Sequence, residues 1–355
     1  MTSLETAIAK GRNNNFDIVR LVAAMGVVVS HAWPLSLGAG TVEPMEHATG
    51  VALGGLSVFV FFFLSGLLVT ESAHRWSDRK LVFVVARVGR IFPGLFVALL
   101  VTVAIAAISG GDFGMAEAGR YIAKGLSLIS IEHSLTGAFA DTPYPGAVNG
   151  PLWTLFYEVL CYIIIAGLTW VGILSLRIGW AAVMLGIAAL YVVISLGMMP
   201  EGAVFYRLTV FAPLAMAFAM GGFAWRIRAL LPLSWIGGIV LVALTALTLI
   251  VFGEPAGKPI LIFTCGYGCL LIAYCTPPMK MPGDISYGVY IYGWPVTQLV
   301  VWIAAPASAP VAALLSALAV VPFAAASWVM VEKPMMMRVQ AWRRRRADND
   351  RLVPN

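Results

Sequence analysis

The chain has 355 residues, 60% of them hydrophobic and only 11% charged, where a soluble domain carries about 25% charged residues. With a mean hydropathy of +0.89, this composition excludes a disordered chain, a disulfide scaffold and a soluble enzyme on a single membrane anchor, because no long stretch has soluble-domain composition. The net charge of +6 is accounted for by where basic residues stand beside a bilayer, and does not point to nucleic acid.

A bilayer core of about 30 Å is crossed by about 20 largely apolar residues of helix. Ten windows fit, near 16–37, 51–70, 88–109, 151–174, 178–198, 203–224, 233–252, 259–276, 285–304 and 310–331. The fold class predicted is therefore all-α, a polytopic bundle of about ten transmembrane helices. Residues 1–15 form a polar segment, 16–334 the transmembrane domain and 335–355 a basic tail. The first apolar run is longer than a signal-peptide core and lacks a small-residue cleavage site, so it reads as a retained helix. If both termini are cytoplasmic, every Lys and Arg lies on the inner side except Arg120, Lys124 and Lys258 outside and Arg207 within a span. That asymmetry sets the orientation. The tail's Arg343 to Arg346 would touch anionic headgroups.

Ionisable groups inside a membrane helix are costly and are functional candidates. The first span carries Asp17, Arg20 and His31. Arg20 and His31 project from one face about 16 Å apart along the axis, and Asp17, three residues before Arg20, can fix its guanidinium. A snorkelling Arg20 and a packed His31 are the structural alternative. In the second span Phe61-Phe62-Phe63-Leu64-Ser65-Gly66 ends in a small pair that permits close helix contact. The third span opens with Arg87 and Arg90, suited either to phosphate or to positive-inside anchoring.

The fourth follows Asn149-Gly150-Pro151-Leu152-Trp153 and carries Glu158. Counted inward from the outer face, Glu158 lies about 12 Å deep and His31 about 8 Å deep. A carboxylate and an imidazole at similar depth suit general acid/base chemistry, with a structural His–Glu pair as the alternative. Cys161, Cys265, Cys269 and Cys275 fall in spans; Cys265 and Cys269 share a face, but two thiols do not make a metal site. The ninth span, Asp284-Ile285-Ser286-Tyr287-Gly288-Val289-Tyr290-Ile291-Tyr292-Gly293-Trp294-Pro295, is an aromatic stripe with a proline that neighbours must accommodate.

Taken in order, Phe16-Asp17…Arg20…His31, Phe62-Phe63-Leu64-Ser65-Gly66, Arg87…Arg90-Ile91…Pro93, Leu152-Trp153-Thr154-Leu155…Glu158, Ser286-Tyr287-Gly288-Val289-Tyr290 and Glu332-Lys333-Pro334 resemble acyltransferase family 3. The resemblance runs from about Asn15 to Pro334. It implies an integral membrane enzyme of the bacterial inner membrane that O-acylates carbohydrates, often surface or exported glycans, from an acyl-CoA donor, acetyl-CoA above all, without a tightly bound cofactor or metal. It implies His31 as the catalytic residue, Arg20, Arg87 and Arg90 as the donor-side cluster, and Trp153 and Glu158 as parts of the fourth-helix motif; the matching depths make Glu158 the second catalytic candidate, and Asp17, Trp153, Asn149, Ser65, Ser286, Tyr287 and Tyr290 are the candidate substrate-binding or supporting residues. This chain departs from many relatives in carrying Gly293 where they carry a histidine. A transporter or flippase using the buried Arg, His and Glu as a polar path is the alternative.

Overall fold

The computed structural model describes residues 2–11 and 14–352. Arg12, the side chains of Arg177 and Arg351, and positions 353–355 of the basic tail lie outside the described residues. A two-residue strand β1 (Thr2–Ser3) precedes α1 (Leu4–Ala9), α2 (Phe16–Leu37), α3 (Pro44–Thr49), α4 (Leu53–Arg75), α5 (Lys80–Ile108) and α6 (Met115–Ser127). There follow α7 (Trp153–Trp170), α8 (Arg177–Ser195), α9 (Ala203–Arg226), strand β2 (Pro232–Leu233), α10 (Trp235–Cys275), α11 (Ser286–Ala304), α12 (Ala309–Ser327) and α13 (Lys333–Leu352). The two strands pair antiparallel.

Among the described residues, eight helical runs are long and apolar enough to cross a membrane. Two features separate that figure from the ten predicted windows. First, α10 covers the windows at 233–252 and 259–276, with Gly253 non-helical inside it at φ 77°. Thr245 and Thr264 on either side of Gly253 share a 2.7 Å hydrogen bond between their hydroxyls, whereas 19 positions of straight helix span about 28 Å. The element therefore doubles back at Gly253. Second, the tyrosines, Gln298 and Pro295 of α11 dilute its hydropathy, although it is a continuous helix where the ninth span was predicted.

The chain divides into two compact units: residues 1–27, 42–77 and 157–282, and residues 28–41, 78–156 and 283–355. In the first unit α4 packs on α9 with almost no side chain between them. A Cβ on Gly66 would land on the Phe218 carbonyl, and one on Gly221 on that of Phe63. Lipid tails are as apolar as leucine, so close backbone packing of this kind replaces the hydrophobic effect as the force between helices. Around the pair lie Leu64, Leu67, Leu270 and Leu271, all buried. Asn15, 1% exposed, ties the start of α2 to the end of α10: its amide donates to the Thr276 hydroxyl at 2.7 Å and the Pro277 carbonyl at 3.0 Å, and its oxygen accepts from the Met279 amide at 2.7 Å.

In the second unit α11 packs on α12 with Gly288 against the Ala324 backbone, and α5 receives α6 through Gly125 against Leu99. The connection between α5 and α7 is not a bare loop. α6 turns Ala118, Tyr121 and Gly125 inward, and Glu132 accepts from Lys124 at 2.7 Å and from Arg120 at 3.1 Å. The Lys124 hydrogen bond, then that of Arg120, holds the Glu132 carboxyl below the ordinary range. The basic tail is helical: a π turn at Trp328–Glu332 joins α12 to α13, which packs on α5.

Candidate active site

His31 stands on the part of α2 that belongs to the second unit. Its neighbours Ala32 and Leu35 are fully buried, and its ring meets Trp294 of α11 edge to face, with centroids 4.8 Å apart at 70°. The His31 Nδ1 is buried and has no hydrogen-bond partner among the described residues. Trp294 is itself fixed. Its indole N–H donates to the Ala147 carbonyl at 3.0 Å, Tyr144 packs across it at 5.6 Å and 87°, and Gly150 admits the indole where a Cβ would stand 2.9 Å from the ring. One turn on, the Gln298 amide donates to the Tyr144 carbonyl at 2.8 Å and the Ala147 carbonyl at 3.0 Å.

The segment before α7 is held by α11 in the same way. Asn149, with no exposed surface, donates to the Ile291 carbonyl at 3.1 Å. The Tyr290 hydroxyl donates to the Pro151 carbonyl at 2.8 Å and pairs closely with the Thr154 hydroxyl. Asn149 and Tyr290 thus act as supports, while Trp153 is 39% exposed. At the other end of α11, Arg90 Nη2 donates to Asp284 Oδ2 at 2.6 Å and Nη1 lies 3.7 Å from Glu332 Oε2. The Tyr287 ring lies 5.7 Å from the guanidinium, and the Ser286 hydroxyl donates to Asp284. Arg87 lies over the Phe83 ring at 5.6 Å.

Residues 13–331 match the acyltransferase domain of acyltransferase family 3. The chain belongs to that family. It is an acyltransferase, and with its apolar helices an integral membrane protein. It is 33% identical to the O-acetyl transferase of Shigella phage Sf6, over 92% of this chain and 97% of that one, and 27% identical to Nodulation protein 10 of Rhizobium leguminosarum bv. viciae, over 92% of this chain and 94% of that one. These likenesses support O-acyltransfer. No solved structure matches.

In this member of acyltransferase family 3 the first unit holds the other predicted site residues. Asp17 takes the Arg20 guanidinium at 3.3 Å, the i, i+3 pairing read from the sequence. Ser65 and Glu158 come together: the serine hydroxyl donates to the carboxylate at 3.0 Å, and the Tyr162 hydroxyl donates to the same oxygen. Glu158 belongs to the first unit and His31 to the second. Gly293 has a packing reason of its own, since a Cβ there would stand 2.8 Å from Val28 Cγ2. Among the described residues no group of three His, Cys, Asp or Glu is placed to hold a metal. Trp294 and Gln298 are functional candidates that sequence reasoning missed. Gln298 did carry a signal, as a polar amide inside a membrane helix; Trp294 was hidden in an aromatic stripe that reads as packing.

Proposed function

We propose that the enzyme moves an acyl group, acetyl in the first instance, from acyl-CoA to a hydroxyl of a carbohydrate, in a bacterial inner membrane. The likeness to the O-acetyl transferase of Shigella phage Sf6 supports acetyl. Ten crossings with both termini in the cytoplasm are proposed with it; the doubled-back α10 and the 19-residue α11 support that count, and the distribution of Lys and Arg supports the orientation.

The observation that carries this reading is the seat of His31: an imidazole held by a fixed indole, with a buried nitrogen left for a partner that is not one of the described side chains. In the reaction His31 takes the proton of the sugar hydroxyl as that oxygen attacks the thioester carbonyl. The carbon–sulfur bond then breaks, and the proton passes to the departing thiolate, so the products are the ester and free CoA. Direct transfer is preferred to an acyl-imidazole because no feature of the site calls for a second step. Arg20 and Arg87, at the inner ends of their helices, supply positive charge on the donor side. Glu158 has the carboxylate's part on the depth argument, with Ser65 and Tyr162 as its supports.

The test is transfer of label from acetyl-CoA to glycan acceptors by the purified protein in lipid vesicles, read by mass spectrometry. His31→Ala is expected to lower turnover by about 100-fold or more while its melting temperature stays near wild type. Near-normal transfer by the folded variant would sink the assignment, and movement of the glycan without labelling would favour transport.

A further inference from the structure

Arg90 stands where four segments of the second unit meet. α5 carries it and the turn before α11 brings Asp284, while α11 lays Tyr287 beside it and the π turn between α12 and α13 brings Glu332. Each partner is anchored in turn. Asp284 Oδ1 accepts from the Ser286 amide at 3.3 Å and from its hydroxyl, Glu332 Oε1 accepts from the Ser327 hydroxyl at 3.0 Å, and the Tyr287 hydroxyl donates to the Ile91 carbonyl at 2.8 Å. Gly94 leaves the room this needs, since a Cβ there would stand 2.8 Å from the Tyr287 ring and 3.5 Å from Glu332 Cγ. Asp284 is 9% exposed and Glu332 3%. A π turn is rare and frequently marks a functional site; here it lies where Glu332 reaches Arg90.

Two carboxylates therefore face one guanidinium. A donor phosphate brought to the same guanidinium would meet both at close range, in surroundings that screen charge poorly. We propose that Arg90 is a positioning residue and not a phosphate ligand: Asp284 and Glu332 clamp it, so that α5, the start of α11 and the α12–α13 junction hold one geometry. This assignment rests on the acyl-CoA reading above.

Donor kinetics separate the roles. Asp284→Asn, Glu332→Gln and Arg90→Ala are expected to lower kcat roughly 10- to 100-fold, as a small misplacement of reacting groups does, with the KM for acetyl-CoA within about twofold of wild type. Combining Arg90→Ala with Glu332→Gln should cost little more than Arg90→Ala alone, because the two act as a unit. Arg87→Ala should instead raise the donor KM, about tenfold for one lost charge-assisted contact. If Arg90 bound phosphate, removing a neighbouring carboxylate would lower the donor KM and Arg90→Ala would raise it; either result overturns the proposal. So does a loss confined to yield or melting temperature with normal kcat in the folded fraction. Arg90→Lys, which keeps the charge, covers the case in which Arg90→Ala does not fold. Wild-type protein that takes no label from acetyl-CoA defeats the donor reading itself, a result distinct from these.

Discussion

Ser65 and Gly66 are neighbours in the sequence with different work. The glycine lets two backbones touch and the serine turns to the Glu158 carboxylate; spacing alone made them a small pair for close helix contact, and only the family resemblance made Ser65 a substrate-binding or supporting residue. The reverse holds at Gly293, which looked like a missing catalytic histidine and is also a packing position against Val28. Gly293→His is accordingly expected to destabilise the enzyme by about 1–3 kcal/mol, the usual cost of overpacking, read as a lower melting temperature in detergent. Adding Val28→Ala should recover part of the loss, and a Gly293→His variant as stable as wild type would refute the packing account. Asp17 and Arg20 were legible because an i, i+3 pair needs only the helix. Trp294 was not, because what distinguishes it is the Ala147 carbonyl far away in the chain.

At the scale of elements, the α4–α9 contact is the one on which the first unit most visibly depends. Its glycines are matched, each beneath a carbonyl of the other helix, so a methyl group on either side must part the helices. Gly66→Ala and Gly221→Ala should each cost about 1–3 kcal/mol or more, while Gly167→Ala, with open space around its position, should be nearly neutral; equal melting temperatures for all three would contradict this packing. Other features of the elements depended on signals that sequence reading could not order. The helix inside the α5–α7 connection and the helical tail both lie in polar segments, where hydropathy is silent and amphipathic packing on α5 decides.

Across the whole molecule, the turn at Gly253 decides how many times the chain crosses the membrane. In a Cys275→Ser background, which removes the exposed native thiol, Ala256→Cys should react in intact cells with a thiol reagent that cannot cross membranes. Ala341→Cys on α13 should react only after permeabilisation. The opposite pattern, or protection of position 256 from both sides, would overturn the ten-span topology.

Composition and window length by themselves determined that this is a membrane protein of helices, because the thickness of a bilayer fixes how many apolar residues a crossing needs. The order of a few costly polar residues pointed to the family for a related reason: such residues survive in lipid only where something requires them. Only the tertiary structure decided which of them meet. Arg90 with Asp284 and Glu332, Ser65 with Glu158, and Trp294 with the loop at Ala147 are brought together across long stretches of sequence by helix packing, and helical periodicity carries no information about which face of one helix will find which face of another.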